Sequence, residues 1–214
     1  LTRHLESNLK KWFESQPVVR IAFSGGRTPR PLMEALSNLD LPWHRAEVHL
    51  VDERWVPLES GQSNEAMIRD TFLQNYAKNA TLVLLPERDM TCQRAIETHN
   101  HLLEKRPFRF DLILLGMGND GHIASLFPAD GASSDALEGS VDAMYCATEA
   151  PTFPHRRFGM SLTPILNSKA LILFFTGEEK IQVFRKAQFD NASPLPVARV
   201  IHQNSSPLSL YWAP

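Results

Sequence analysis

The sequence predicts an α/β fold built on a mostly parallel sheet, and three observations lead to that prediction. Short apolar runs with β-branched residues recur along the chain, and segments with helical spacing of apolar residues lie between them. Several of the runs are almost continuously hydrophobic, which is typical of strands buried on both faces. Alternating strands and helices form a parallel sheet, and right-handed crossovers place the carboxyl ends of its strands at one edge, where ligands usually bind.

Apolar runs mark the predicted strands in chain order. They are VVRIAF (18–23), AEVHLV (46–51), TLVLL (81–85), FDLILL (110–115), VDAMYCA (141–147), ALILFF (170–175), VARVI (197–201) and LSLYW (208–212). Their β-branched and aromatic residues favour extended structure.

Apolar residues that recur three and four positions apart predict the helices. The marker residues are Leu5, Leu9, Trp12 and Phe13; Leu32, Met33, Ala35 and Leu36; Met67, Ile68, Phe72 and Leu73; Ile96, Leu102 and Leu103; and Ile181, Val183 and Phe184. The segment PADGASSDALEGS (128–140) is predicted to be a surface loop that does not divide domains.

Length and composition suit one globular domain. The 214 residues allow two domains but do not require them, so we expect a single α/β domain over residues 1–214. The chain begins at Leu1 directly in a helical pattern, which leaves room for a native N-terminal segment before it.

Charge and cysteine usage argue against several classes of protein. The net charge of −2 provides no global positive field for nucleic acid. Cys92 and Cys146 lie far apart without metal-ligand spacing, which fits a reducing compartment and predicts no zinc site. No apolar run approaches the roughly 20 residues that span a bilayer, and no secretory signal is recognised. We therefore expect a cytoplasmic protein without nucleic-acid or membrane partners.

The first candidate loop is Ser24–Pro29, directly after VVRIAF. Its two glycines permit unusual backbone angles and bring peptide N–H groups close to a ligand. Thr28 is predicted to cap the next helix and Pro29 to be its first residue. A helix N-terminus approached by glycines is an anion site, although a tight turn without a ligand is an equally good interpretation.

The second candidate loop is Val51–Pro57, which carries Asp52, Glu53 and Arg54 after a predicted strand. Such residues more often form a surface charge cluster. Arg54 would nevertheless suit a phosphate or carboxylate, because its planar fork makes two parallel hydrogen bonds.

The third candidate loop contains G-x-G-x-x-G (116–121) after FDLILL, the order expected of a dinucleotide-binding turn. Three features contradict that interpretation. Pro128 ends the following HIASLF segment after about two turns, and Asp142 opens a predicted strand, whereas the fingerprint acid should end one. Asp120 also places a carboxylate where a pyrophosphate requires bare amides, and no P-loop Lys-Ser/Thr is present.

What remains in this loop is an acid and an imidazole two residues apart, Asp120 and His122. Histidine titrates near neutrality, so it can accept a proton from water and return it to a leaving oxygen, while a carboxylate orients the ring. The alternative is a loop histidine satisfied by backbone groups. The other histidines are interpreted as surface or structural residues: His4, His44, His49, His99, His101, His155 and His202.

Four segments together resemble the glucosamine-6-phosphate isomerase/6-phosphogluconolactonase family, and the likeness runs from about residue 18 to the closing PLSLYWAP. They are SGGRTP (24–29), VDERWVP (51–57) with Ser63 and Asn64 after it, GMGNDGHIASLFP (116–128) and FFTGEEK (174–180). The resemblance implies a modified Rossmann-like sheet with helices on both faces. It also implies hydrolysis of 6-phospho-D-glucono-1,5-lactone to 6-phosphogluconate in the pentose phosphate pathway, without metal or organic cofactor.

Two departures favour the lactonase over the deaminase of this family. The deaminase pattern resembles G-x-D-G-H-I-A-F-N-E-P, and its acid–base glutamate would stand at Phe127. Arg54 also occupies a position where the deaminase tends to have an aromatic residue. A sugar-phosphate-binding module without catalysis is a third alternative, but it has little need for both Asp120 and His122.

The resemblance implies a role for each candidate residue. His122 would be the general base and then the acid toward the ring oxygen, Asp120 would support it, and Asp52 would line the same cleft. The phosphate would rest on the amides of Ser24 to Thr28, with positive charge from side chains. The residues expected to bind it are Ser24, Gly25, Gly26, Thr28, Arg54, Arg157 and Lys180.

The late arginine of the family pattern P-x-x-R-[MIL]-[ST]-x-T is displaced here. Aligned on MSLT, its position falls on Gly159, whereas counting from Pro154 places it on Arg157. The donors that would stabilise a tetrahedral oxyanion are not identified, and backbone N–H groups in these loops or an arginine are candidates. A monomer is the favoured oligomeric state.

Overall fold

The computed structural model describes residues 1–83, 89–128, 131–138 and 143–214. Strands and helices alternate through these ranges. The strands are β1 Val19–Phe23, β2 Ala46–Leu50, β3 Asp52–Arg54, β4 Thr81–Leu82, β5 Leu112–Leu115, β6 Tyr145–Glu149, β7 Arg156–Met160, β8 Leu171–Thr176 and β9 Leu208–Ala213. The α-helices are α1 Thr2–Ser15, α2 Arg30–Ser37, α3 Asn64–Thr71, α4 Cys92–Glu104, α5 Gly131–Leu137, α6 Leu162–Leu166, α7 Glu178–Phe189 and α8 Pro196–Ile201.

The main sheet has six parallel strands in the order β4-β2-β1-β5-β8-β9. Numbering only these strands along the chain gives 3-2-1-4-5-6, the order of doubly wound dinucleotide-binding folds. The order reverses between β1 and β5, and ligands bind outside the carboxyl ends of the strands at such a switch point. The predicted fold class, a modified Rossmann-like and mostly parallel α/β sheet, is confirmed.

The core lies on both faces of this sheet. In β5, Leu112 and Leu114 pack with α1, α2 and α3, whereas Ile113 and Leu115 pack with α4, α7 and α8. All four side chains are buried, because successive residues of a strand point to opposite faces and helices cover each face. This is why FDLILL reads as a continuous apolar run.

A second, antiparallel sheet of three strands has the order β3-β7-β6. β3 begins at Asp52, and only Val51 separates it from the end of β2, so this sheet lies at the carboxyl edge of the main sheet. Its register places Asp52 opposite Gly159 and Arg54 opposite Arg157. The acidic loop predicted after the second strand is therefore itself a strand.

The prediction that VARVI (197–201) is a strand is wrong, because the segment lies in helix α8. Pro196 stands at the beginning of that helix, and Val197, Ala198 and Val200 are buried. Periodicity cannot separate a short buried helix from a buried strand when the apolar run is this brief.

The segment 128–140 is not wholly a loop, because residues 131–137 form α5 and its Ser133 and Ala136 are buried. Residues 129–130 and 139–140 lie outside the described residues. Residues 122–127, expected to form about two helical turns before Pro128, instead make a tight turn closed by a bridge between Ile123 and Leu126.

Two strand boundaries also differ from the predictions. β4 covers only Thr81–Leu82 of TLVLL, and residues 84–85 lie outside the described part. β6 begins at Tyr145 and continues to Glu149, while residues 141–142 of VDAMYCA are likewise not described. None of the helices in the described ranges combines the length and apolar character that a membrane crossing requires.

Candidate active site

The candidate loops converge on one cleft of about 660 Å³ at the carboxyl edge of the main sheet. Its walls come from the loop after β1, from β3, from the loop after β5 and from the end of β8. The volume falls in the range of roughly 300 to 1,000 Å³ that is usual for small-molecule sites. The predicted residues that line it are Ser24, Gly25, Gly26, Thr28, Asp52, Arg54, His122 and Lys180.

Asp120 holds the imidazole of His122. The carboxylate Oδ1 lies 2.6 Å from His122 Nδ1 and also accepts the His122 backbone N–H at 3.2 Å. With Nδ1 engaged, Nε2 is the ring nitrogen that can accept a proton. Burial disfavours the ionised carboxylate and raises its pKa, but the hydrogen bonds from His122 outweigh burial and leave the pKa of Asp120 below its ordinary value.

Glycines make this close pairing possible. Gly121, between the acid and the histidine, has a φ of +80°, a left-handed conformation that costs other residues energy. Any side chain at Gly118 would collide with the His122 ring. Phe127 packs against the other part of that ring, with 4.6 Å between centroids.

Asp52 is held by two neighbours that line the same cleft. Ser125 Oγ donates to Asp52 Oδ2 at 2.6 Å, and Asn64 Nδ2 donates to the Asp52 backbone carbonyl at 2.8 Å. Asn64 Nδ2 also lies 3.4 Å from Asp52 Oδ1. These contacts fix the carboxylate as a polar wall of the cleft.

The loop after β1 offers backbone N–H groups to the cleft. Within the described ranges, the amides of residues 25–28 donate no hydrogen bond. The prediction that the Ser24 amide binds the phosphate is wrong, because this amide donates to the Leu114 carbonyl of β5 at 3.0 Å. Ser24 Oγ is buried and has no hydrogen-bond partner in the described part of the chain, so the hydroxyl is the group that Ser24 can offer.

Thr28 does not cap helix α2 as predicted. The helix begins at Arg30 with Pro29 as its cap residue, and no side chain bonds its first amides. Thr28 Oγ1 instead lies 3.3 Å from Thr176 Oγ1 at the end of β8. Thr28 thus joins the loops after β1 and β8 across the cleft.

Three cationic side chains line the cleft: Arg27, Arg54 and Lys180. Arg54 donates from Nη1 to the Gln62 carbonyl at 2.6 Å, which fixes its direction. Burial lowers the pKa of Lys180, the nearby Asp120 charge opposes that shift and Arg27 adds to it. Arg54 and Lys180 are partly buried and Arg27 is exposed, and an anionic ligand would stabilise such a cluster of like charges.

Arg157 is not on the cleft wall. It is 8% exposed and lines a separate cavity of about 420 Å³. Burial and then the neighbouring Arg54 lower the pKa of its guanidinium, while Asp52 and Glu53 raise it. In the pairing of β3 with β7, Gly159 lies opposite Asp52 and Arg157 lies opposite Arg54.

Sequence reasoning did not assign roles to several residues that line the cleft. They are Arg27, Asn64, Ser125 and Thr176. Each lies within or beside the segments that carry the family resemblance, but local sequence could not reveal contacts such as the one between Ser125 and Asp52. In the described ranges, no group of three or more His, Cys, Asp or Glu side chains is placed to hold a metal ion.

Comparison with known proteins places this arrangement in a family. The family model described as glucosamine-6-phosphate isomerases/6-phosphogluconolactonase matches residues 1–212. A 6-phosphogluconolactonase of Helicobacter pylori is 36% identical over 197 residues, which cover 91% of this chain and 84% of that protein. A 6-phosphogluconolactonase of Pseudomonas aeruginosa is 30% identical over 215 residues, covering 100% of this chain and 89% of the relative.

Solved structures give the same result. The crystal structure of a 6-phosphogluconolactonase from Shewanella baltica superposes with a TM-score of 0.93 at 33% identity, covering 100% of this chain and 91% of the other. The fold and the matched length therefore agree. The chain belongs to the glucosamine-6-phosphate isomerase/6-phosphogluconolactonase family.

Proposed function

We propose that this chain hydrolyses 6-phospho-D-glucono-1,5-lactone to 6-phosphogluconate, a step of the pentose phosphate pathway, by general-base activation of water. One observation carries the proposal: the His122 ring, held by Asp120, lines the same cleft as residues 25–28, whose amides donate no hydrogen bond within the described part of the chain. A base and a phosphate cradle on one cleft suit a phosphorylated sugar lactone. The names of the relatives at 30–36% identity support this substrate.

The chemistry follows from the free nitrogen of His122. Nε2 takes a proton from water as the water oxygen forms a bond to the lactone carbon C1, and the carbonyl electron pair moves onto oxygen. When that pair returns, the bond from C1 to the ring oxygen breaks. The imidazolium gives its proton to the ring oxygen, and the product is an open-chain acid. Asp120 stabilises the imidazolium between the two proton transfers.

Binding of the phosphate group, which lies away from the reacting carbon, would orient the substrate in the cleft. The N–H groups of Gly25, Gly26 and Thr28 and the Ser24 hydroxyl would donate hydrogen bonds to its oxygens, and Arg54 and Lys180 would balance its charge. Fixing this end places the carbonyl near the base, and such orientation converts binding into rate.

The structure offers no carboxylate at the position that distinguishes the deaminase. Phe127 is buried there against the His122 ring, so an additional acid–base group is missing from that point of the cleft. Lactone hydrolysis needs one base and one water. This supports the lactonase over glucosamine-6-phosphate deamination.

We also propose that the enzyme acts as a cytoplasmic monomer. All groups invoked for the reaction come from one chain. The sequence contains only two cysteines, Cys92 and Cys146, far apart in the chain, which fits a reducing compartment.

A direct assay tests the proposed reaction. Acid release from freshly prepared 6-phosphogluconolactone is measured against a no-enzyme control, because the lactone also hydrolyses spontaneously. We expect acceleration with this substrate and no ammonia from glucosamine 6-phosphate. Ammonia release would support the deaminase instead, and binding of 6-phosphogluconate without turnover would support the binding module.

A further inference from the structure

The residues that follow His122 form a turn with an unusual backbone. Ala124 and Ser125 have φ values of +50° and +59°, and the Leu126 N–H donates to the Ile123 carbonyl at 2.6 Å. Positive φ at both central positions is the geometry of a type I′ turn, which normally selects Gly or Asn. Holding Ala and Ser there is energetically unfavourable, because the left-handed conformation brings Cβ close to the following carbonyl oxygen. Strain of this kind persists only where surrounding contacts enforce it, and it clusters at functional sites.

Contacts from both sheets enforce this turn. Thr148 Oγ1 on β6 donates to the Ser125 carbonyl at 2.7 Å, and Ser125 Oγ donates to Asp52 Oδ2 at 2.6 Å. The Ala124 carbonyl lies directly over Gly159 of β7, where any side chain would collide with it. The turn is therefore held by its carbonyls and by one hydroxyl.

The same contacts determine where the N–H groups of the turn point. In a planar trans peptide, the N–H lies opposite the carbonyl. Because the Ala124 carbonyl faces Gly159, the Ser125 N–H points away from β7. Because the Ile123 carbonyl accepts from Leu126, the Ala124 N–H points away from the turn. Ala124 and Ser125 both line the cleft, and in the described part of the chain neither amide donates a hydrogen bond.

We propose that the Ala124 and Ser125 N–H groups form the oxyanion hole of this enzyme. Successive N–H groups in a turn create a concavity that binds an anion, and this one lies two residues after the proposed base. The inference rests on the proposed lactone hydrolysis. When water adds to C1, the carbonyl oxygen becomes an oxyanion, and these preorganised donors would hold it until the ring oxygen leaves. Thr148, Gly159 and the Ser125 hydroxyl are positioning groups.

Amide resonances of ¹⁵N-labelled protein test the ligand contact. The product 6-phosphogluconate carries a carboxylate at C1, whereas glucose 6-phosphate and inorganic phosphate do not. We expect 6-phosphogluconate to move the Ala124 and Ser125 amide protons downfield, and inorganic phosphate to move only those of Gly25 and Gly26. Unchanged Ala124 and Ser125 resonances while Gly25 and Gly26 respond would overturn the oxyanion hole and leave the proposed function standing. No response anywhere to 6-phosphogluconate would remove both.

Kinetics of Thr148 variants test the contribution to rate. Thr148→Val removes the hydrogen bond that holds the Ser125 carbonyl at nearly constant volume, and Thr148→Ser keeps it as the matched control. We expect the valine variant to lose about tenfold or more in kcat with KM within about twofold, and the serine variant to recover most of the rate. Equal kcat in the valine variant and the wild type, or a loss that serine does not rescue, would contradict the inference.

Discussion

One hydrogen bond determines which nitrogen of His122 is available for chemistry. Asp120 engages Nδ1 at 2.6 Å, and the Asp120 pKa stays below its ordinary value despite partial burial. A carboxylate that remains ionised holds the neutral ring in the tautomer with a free Nε2 and then stabilises the imidazolium. Asp120 therefore controls which nitrogen of His122 takes part in the proposed catalytic step.

His122→Ala is expected to remove the base and lower kcat by about 10²- to 10⁴-fold after subtraction of spontaneous hydrolysis. The ring is partly exposed, so thermal unfolding should change little. The exposed His44→Ala is the matched control and should retain wild-type kinetics. A His122→Ala rate within about threefold of wild type would move the base elsewhere.

Arg54→Ala is expected to weaken recognition of the phosphate. Its guanidinium lines the cleft, and a lost charged hydrogen bond of about 1.5–3 kcal/mol predicts a KM increase of about 10- to 100-fold for the phosphorylated lactone. Unphosphorylated glucono-1,5-lactone should show little change in kcat/KM, and Arg185→Ala on the exposed face of α7 serves as control. Equal losses on both lactones would argue against a phosphate contact.

At the scale of elements, one buried carboxylate joins β3 to α3. Glu53 is 0% exposed and accepts the N–H groups of Asn64 and Glu65 at 2.7 and 2.9 Å, and the Ser63 hydroxyl at 2.8 Å. The first amides of a helix have no hydrogen-bond partner within the helix. A carboxylate accepts their hydrogen bonds, and its negative charge interacts favourably with the positive end of the helix dipole. The charge cluster predicted from the sequence thus contains a structural acid beside two cleft residues.

Glu53→Ala is expected to lower the free energy of unfolding by about 3 kcal/mol, because it leaves these buried donors unsatisfied. Glu53→Gln keeps one acceptor oxygen and should lose less. The exposed Glu59→Ala, in the segment between β3 and α3, should stay within about 0.5 kcal/mol of wild type. Urea denaturation measures all three, and equal effects of Glu53→Ala and Glu59→Ala would refute the structural role.

Elements were predictable where the pattern was long or continuous. The continuous run FDLILL contains strand β5, and the predicted markers Leu5, Leu9 and Phe13 form the buried face of α1, because burial on two faces or on one stripe leaves a clear periodicity. The prediction for VARVI failed because five residues, four of them apolar, fit either element. β3 was missed because its three consecutive charged residues owe their extended form to pairing with β7, a segment about 100 residues away.

At the scale of the whole molecule, burial on both faces of the sheet encloses titratable groups. His49 packs between Phe108 and Phe110, and its ring nitrogens have no hydrogen-bond partner in the described ranges. Burial, then the charges of His99 and Arg20, lowers the pKa of His49 to about 3, and burial lowers that of His99 to about 4. Both rings are neutral in the folded core.

That residues 1–214 form one domain stays a prediction.

Stability is therefore expected to fall as pH decreases below about 6.5, the ordinary histidine value. Between about pH 6.5 and 4, His49 and His99 are protonated in the unfolded chain and neutral in the folded chain. Because the unfolded state binds more protons, lowering the pH favours unfolding. His49→Leu should reduce the slope at pH 5 by about 1.4 kcal/mol per pH unit. Phe108→Leu, which changes packing but no titration, should keep the slope; an unchanged slope in His49→Leu would refute the buried neutral ring.

The sequence by itself determined the α/β class and the family, and it predicted that Asp120 supports His122. These features depend on short-range information: apolar periodicity, glycines at strand ends and two residues close in the chain. Which loops meet was also accessible, because parallel strands deliver their carboxyl ends to one edge.

Tertiary structure alone decided which atoms of those loops are available. The Ser24 amide donates to the Leu114 carbonyl of β5, and Thr148 donates to the Ser125 carbonyl. Arg54 lines the cleft, whereas Arg157 does not. Each outcome depends on strand register and on hydrogen-bond partners distant in the chain. Each backbone N–H or C=O group pairs with whichever polar group the packing places beside it. Which of these groups can bind a ligand is therefore decided only when the edge of the sheet is assembled.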